Sequence, residues 1–195
     1  MLVPPGVMAL AWAAYHFPFD KLGIGMLMLA VVTVFFSAYL RVQVPRTTLH
    51  LTISDALVFL SLLVYGGGVA IVLAMLEAGF SSLKLTTPSS PGRRPNLRTI
   101  AANILTAVFS TFATTFIVET VFGPASKVLG AGDNTTLVYL LAVMAFSQFV
   151  SNTLLVSAWV AIKTERRMLD VWNQASFNAL AMFSSGAVMA GLAAK

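Results

Sequence analysis

The sequence predicts an all-α fold, a polytopic transmembrane helical bundle of about seven hydrophobic segments that includes a short Gly-tipped helical hairpin. Three observations carry this expectation. Of 195 residues, 58% are apolar and only 10% charged, with a mean hydropathy of +0.87. A soluble domain is about one-quarter charged, and one this small must still present a wide polar surface to water. The apolar runs are long and do not alternate, so the spanning elements read as helices and not barrel strands. The basic residues gather in the short connections between the runs.

The first run, Leu2–Phe17, has Pro4 and Pro5 near its start, where proline suits the opening of a helix. At about 16 residues it is short for a span, which needs about 20. No Lys or Arg precedes it, which disfavours a cleaved signal peptide. The second run, Leu22–Leu40, ends at Arg41 and Arg46, and Pro45 blocks continuation. Thr52-Ile53-Ser54-Asp55 matches a helix start ahead of the apolar run Ala56–Tyr65. Gly66-Gly67-Gly68 breaks the chain and Val69–Leu83 resumes it. Each arm is roughly 20–26 Å long, less than the hydrocarbon core of about 30 Å, so the hairpin either forms two short spans or re-enters. Thr86–Asn96 is a Pro-, Ser- and Gly-rich loop holding Arg93 and Arg94. Leu97–Phe122 is the fifth helix, closed by Gly123-Pro124. A short polar loop with Lys127, Gly130, Gly132 and Asp133 leads to the sixth, Thr136–Ile162. After the charged turn Lys163–Arg167, the seventh helix is Met168–Ala194.

Orientation follows from charge. The connections after the second, fourth and sixth segments carry Arg41, Arg46, Lys84, Arg93, Arg94, Arg98, Lys163, Arg166 and Arg167; the alternate connections carry Lys21 and Lys127. The positive-inside rule puts the first set and the amino terminus in the cytoplasm, making this a multi-pass protein of the cell (inner) membrane. The Gly66–Gly68 tip then points outward. Seven helices leave Lys195 outside, so residues 1–195, a single integral membrane domain, are expected to be the N-terminal part of a longer protein with a further helix.

The net charge of +5 reports this orientation, and nucleic acid is not an expected partner. With no cysteine, disulfides, thiolate metal sites and cysteine nucleophiles are excluded. The sequence contains no HExxH, GxSxG, Walker lysine or GxGxxG, so no catalytic residue, metal ligand or cofactor is assigned and the chain is not read as an enzyme. His16 and His50 fall on opposite sides by this topology, which argues against a shared metal site.

Ionisable groups inside a membrane are the first candidates for a site, because burying one costs several kcal/mol unless it is paired or wet. Asp55 and Glu77 lie roughly 18 and 15 Å from the Gly67 tip, at nearly one depth, with Arg98 and Arg46 as countercharges. The plainer alternative makes Asp55 a helix cap and lets Glu77 pair near the interface. Glu119 sits near its helix end, at the outer interface. Polar stripes recur at helical spacing: Asn103, Thr106, Ser110 and Thr114; Gln148 and Asn152; Gln174 and Asn178. They either hydrogen-bond the helices together or line a cavity for a small-molecule ligand. The candidate ligand-binding set is Asp55, Glu77, Arg98, Asn103, Gln148, Asn152, Gln174 and Asn178. Trp12, Tyr15, His16, Phe17, Trp159 and Trp172 read as interfacial anchors, and Gly186-x-x-x-Ala190 with Ala187-x-x-x-Gly191 as a close-packing surface, leaving a homodimer open.

The stretch Thr52–Ala78 (TISDALVFLSLLVYGGGVAIVLAMLEA), Asn96-Leu97-Arg98 with Asn103, Phe149–Leu154 (FVSNTL) and Trp172 with Phe177 together resemble the MASE-type multi-helix sensory regions at the N-termini of bacterial signalling proteins. The resemblance covers nearly the whole chain, on motifs that are mostly apolar. It implies a sensory or regulatory module of the bacterial inner membrane that passes a signal to a cytoplasmic HD-GYP phosphodiesterase or GGDEF cyclase domain handling cyclic di-GMP; no such domain lies within these residues. The alternative is a small-molecule transporter, or the substrate-binding membrane subunit of an uptake system, which the Gly-broken hairpin would suit.

Overall fold

Long apolar runs satisfy their backbone polar groups internally by coiling. A computed structural model describes residues 3–19, 23–39, 41–43, 50–52, 54–84 and 97–194. Among these the chain forms α1 (Val3–Tyr15), α2 (Ile24–Tyr39), α3 (Ser54–Val64), α4 (Gly67–Lys84), α5 (Leu97–Phe122), α6 (Ala125–Ala131), α7 (Asn134–Thr164) and α8 (Met168–Ala193). Seven of these match the seven expected segments to within a few residues. The eighth, α6, lies where a polar loop was expected: Pro124 opens it, and Gly132 ends it at φ 71°, the left-handed turn that favours glycine. A second addition is a small antiparallel ribbon, β1 (Arg41–Gln43) with β2 (His50–Thr52), in which Val42 faces Leu51. Pro45, Arg46 and the Thr86–Asn96 loop lie outside the described residues.

Helix length does not make a full span of every one of the seven expected hydrophobic segments. Among the described residues only α5, with 26 residues, and α7, with 31, are long and apolar enough to cross a membrane. At 1.5 Å per residue they run about 39 and 46 Å. By the same rise α3, with 11 residues, reaches only about 16 Å. The physical reason is Gly66, whose φ of 95° turns the chain. The Tyr65 and Gly66 N–H groups both donate to the Ser61 carbonyl, closing α3.

Helix neighbours define the architecture. α3 packs on α4, α4 on α5, α5 on α7, α7 on α8, and α8 returns to α3, so five helices close a ring. Its core joins Phe59, Leu62 and Leu63 of α3 to Met144 and Phe149 of α7 and Phe183 and Ala187 of α8. α1 packs outside on α4 and α5, α2 on α3 and α4. The short α6 touches α3, α5 and α7 and sends Ala125 and Val128 into the same core.

Glycines set the closest approaches. A Cβ on Gly68 would stand 2.9 Å from the His16 carbonyl oxygen and 3.1 Å from that of Ala13, so the start of α4 lies against the backbone at the end of α1. A Cβ on Gly67 would collide with the Thr115 side chain of α5. The triple glycine is therefore both a turn and a three-helix junction. It also sits deeper than a surface tip: Gly67 and Gly68 are buried, and Thr115 lies about 10 Å short of the end of α5.

Candidate functional site

The polar stripe of α5 turns toward α7, and the two helices meet through one hydrogen-bonded chain. The Thr114 hydroxyl donates to Gln148 Oε1 at 2.7 Å, Gln148 Nε2 donates to Ser110 Oγ at 3.2 Å, and Ser110 donates to the Ala107 carbonyl at 3.1 Å. Ser110, Thr114 and Gln148 are 0%, 1% and 7% exposed. A buried amide whose polar atoms are engaged in this way fixes the register of two helices, because any slide leaves it unpaired in a low-dielectric interior. Thr106, Thr111, Thr115 and Ser147 are also buried. Among the described residues, two of these hydroxyls, on Thr111 and Thr115, have no hydrogen-bond partner. Thr115 is the residue against which Gly67 closes.

Other seams carry side-chain ties of their own. Asn103 Nδ2 donates to Ser82 Oγ at 3.1 Å, joining α5 to α4. Trp172 Nε1 donates to Thr153 Oγ1 at 3.0 Å, joining α8 to α7, while Thr153 donates to the Phe149 carbonyl at 2.6 Å. Trp172 therefore does more than anchor at an interface. Trp12 also has an internal role: it stacks on His16 with ring centroids 4.3 Å apart and meets the edge of Phe112 at 5.4 Å. His16 Nδ1 lies 3.0 Å from the Trp12 carbonyl, and the half-buried Glu119 of α5 is within electrostatic reach of His16.

The eight candidate ligand-binding residues are distributed over five helices. Asp55 is half-buried in the first turn of α3, where its charge faces the helix N-terminus. The Ala56 nitrogen beside it lies 3.5 Å from the Cβ position of Gly186 on α8. Glu77 is half-buried on α4, next to the buried Ala78, and Arg98 is exposed at the start of α5. All three engage a neighbour. Asn103 and Gln148 are tied at levels of α5 about 10–16 Å apart. Asn152 is half-buried one turn beyond Gln148 on α7. Gln174 and Asn178 belong to α8, but their side chains lie outside the described residues. Among the described residues no group of three or more His, Asp or Glu is arranged to hold a metal ion.

Sequence reading missed Thr111, Thr115 and the Ser82, Thr153 and Trp172 ties. Thr111 and Thr115 repeat at the same four-residue spacing one position after Ser110 and Thr114, so a wider stripe on α5 would have included them. Compared with known proteins, the chain matches no family model, no curated protein and no solved structure.

Proposed function

We propose that the chain is a multi-pass domain of the cell membrane, the inner membrane of a bacterium, that works as a sensory or regulatory module and passes a helix displacement to a cytoplasmic output domain. The observation that carries this reading is the polar chain Thr114–Gln148–Ser110, which latches α5 to α7. With the glycine junction of α1, α4 and α5, it makes a bundle in which moving one helix must move its neighbours.

Membrane residence draws support from α5 and α7 and from large apolar side chains exposed on several helices. These include Val31 on α2, Phe116 on α5, Ile162 on α7 and Leu192 on α8, more than a water-facing surface ordinarily presents. The contacts Gly6–Leu105 and Trp12–Phe112 run α1 parallel to α5. That agrees with an amino terminus on the side of Arg98, the cytoplasmic side by the positive-inside rule.

Because no native cysteine exists, single cysteines report topology without background. Ser126→Cys on α6 should react with an impermeant maleimide in intact cells, and Glu165→Cys only after permeabilisation. Placed ahead of a cyclic di-GMP cyclase domain, the chain should alter that domain's output. Gly67→Val, which wedges α4 from Thr115, should shift it again. Output indifferent to both, with the protein inserted normally, refutes the sensory reading.

A specific observation favours the transporter alternative: the helix break at Gly66 adjoins Thr115, whose buried hydroxyl is unpartnered, with Thr111 one turn below. Broken helices beside polar groups form transport sites in other membrane proteins. Solute flux into vesicles, abolished by Thr115→Val, would support a carrier.

A further inference from the structure

The α7–α8 seam opens sideways into a groove of about 640 Å³, on which neither the latch nor the glycine junction draws. Its floor is made by small side chains, among them Ala142, Ala145, Ser184 and Ala187. Its walls include Val138, Phe146, Val188 and Leu192, each more than half exposed, at 63%, 62%, 55% and 73%. Small floor and large walls give a channel with an apolar lining.

Its length identifies the occupant. The lining runs from Asn134 to Phe146 on α7 and from Leu180 to Leu192 on α8, about 18 Å at the helical rise. The hydrocarbon core of a bilayer is about 30 Å thick, so one leaflet is about 15 Å. The groove starts at the amino-terminal end of α7, beside the Asp133 cap, and stops midway down the helix. A single acyl chain needs only this half of the span.

We propose that the groove holds one acyl chain of a phospholipid from the leaflet at the α6 end, with the headgroup at the level of Asn134 and of Lys127 on α6. This inference rests on the membrane reading above. The seam it occupies is the one tied by Trp172 and Thr153 lower down, so the chain wedges the free half of a seam whose other half is pinned.

The test reconstitutes the protein in dioleoylphosphatidylcholine vesicles, extracts it in detergent and counts the phospholipid retained by native mass spectrometry. The wild type should retain one phospholipid per chain. Ala142→Phe and Ser184→Leu fill the groove from exposed positions, where folding tolerates them, and each should lower retention roughly tenfold. Ile162→Phe, at a position of α7 that is 75% exposed and outside the groove, should leave it unchanged. Groove variants that retain lipid like the wild type overturn the proposal, as does a wild type that retains none. So does a wild-type dimer that both groove variants convert to monomer, because a second copy then fills the groove. Resistance to alkaline extraction separates the two readings. A protein washed off the vesicles fails the membrane reading itself; one that stays inserted without retained lipid fails only the acyl-chain proposal.

Discussion

Replacing Gln148 by leucine keeps the side-chain volume nearly constant and removes the centre of the α5–α7 latch. Ser110 still donates to the Ala107 carbonyl, so it loses only an incoming bond. Thr114 loses its acceptor while 1% exposed. A buried hydroxyl left without a partner costs ~1–3 kcal/mol, but a helical threonine can turn back to the carbonyl one turn earlier and recover part of this. Interhelical hydrogen bonds in membrane bundles average about 0.6 kcal/mol and reach about 1.7. The expected loss is therefore about 1–2 kcal/mol, a factor of roughly 5–30 in the folding equilibrium. Reversible unfolding in mixed SDS micelles, followed by tryptophan fluorescence, measures it. A double-mutant cycle with Thr114→Val isolates the shared bond, with an expected coupling of about 0.6–1.7 kcal/mol. Coupling below about 0.3 kcal/mol, within the range of independent sites, or a Gln148→Leu protein more stable than wild type, would refute the latch.

Four further outcomes follow from local geometry. Gly68→Ala drives a methyl into the α1 backbone and should cost about 1–3 kcal/mol. Gly79→Ala, whose Cβ meets only Ile104 Cδ1 at 3.7 Å, should stabilise by up to about 1 kcal/mol; the same micelle assay compares them. Trp172→Phe removes one donor but leaves Thr153 bonded to the Phe149 carbonyl, so the loss should stay near ~0.5–1.5 kcal/mol. The Asp133 carboxyl is held below its usual range by the Thr136 hydroxyl and then by the Thr135 N–H. A depressed pKa means that the cap is fully present above the ordinary Asp value of about 3.9 and is lost as pH falls through the native one. Hydrogen-exchange protection at the first turn of α7, taken relative to the unfolded-chain rate at each pH, should fall in acid; Asp133→Ala should lower it at neutral pH, and Asp133→Asn, which keeps an acceptor, should not.

Helix positions were legible because long unbroken apolar runs leave the backbone little alternative, and Gly123-Pro124 and the Lys163–Arg167 turn mark their ends. The break at Gly66 was legible for the same reason. Its depth was not, because depth depends on Thr115 of α5 receiving Gly67, a contact between residues distant in sequence. α6 was hidden by the polar and glycine content of its short segment: only Ala125 and Val128 carry its burial, too few positions for a periodicity to declare itself. The stripes containing Asn103 and Gln148 were visible as stripes. Their pairing was not, since Ser82 and Ser110 differ from any other helical serine only in what stands opposite.

α6 affects where a molecule can approach the bundle. By sending Ala125 and Val128 into the core shared by α3 and α7, it stoppers the end of the ring between α5 and α7, so a solute arriving from the water there must first dislodge a helix. Among the described residues the α7–α8 groove has no such stopper, and it faces sideways. On the membrane reading, what reaches this protein through the groove is therefore selected by partition into the bilayer before any side chain meets it. The effective concentration is that of the lipid phase, and a weakly bound hydrophobic compound, dilute in water, could still fill the groove.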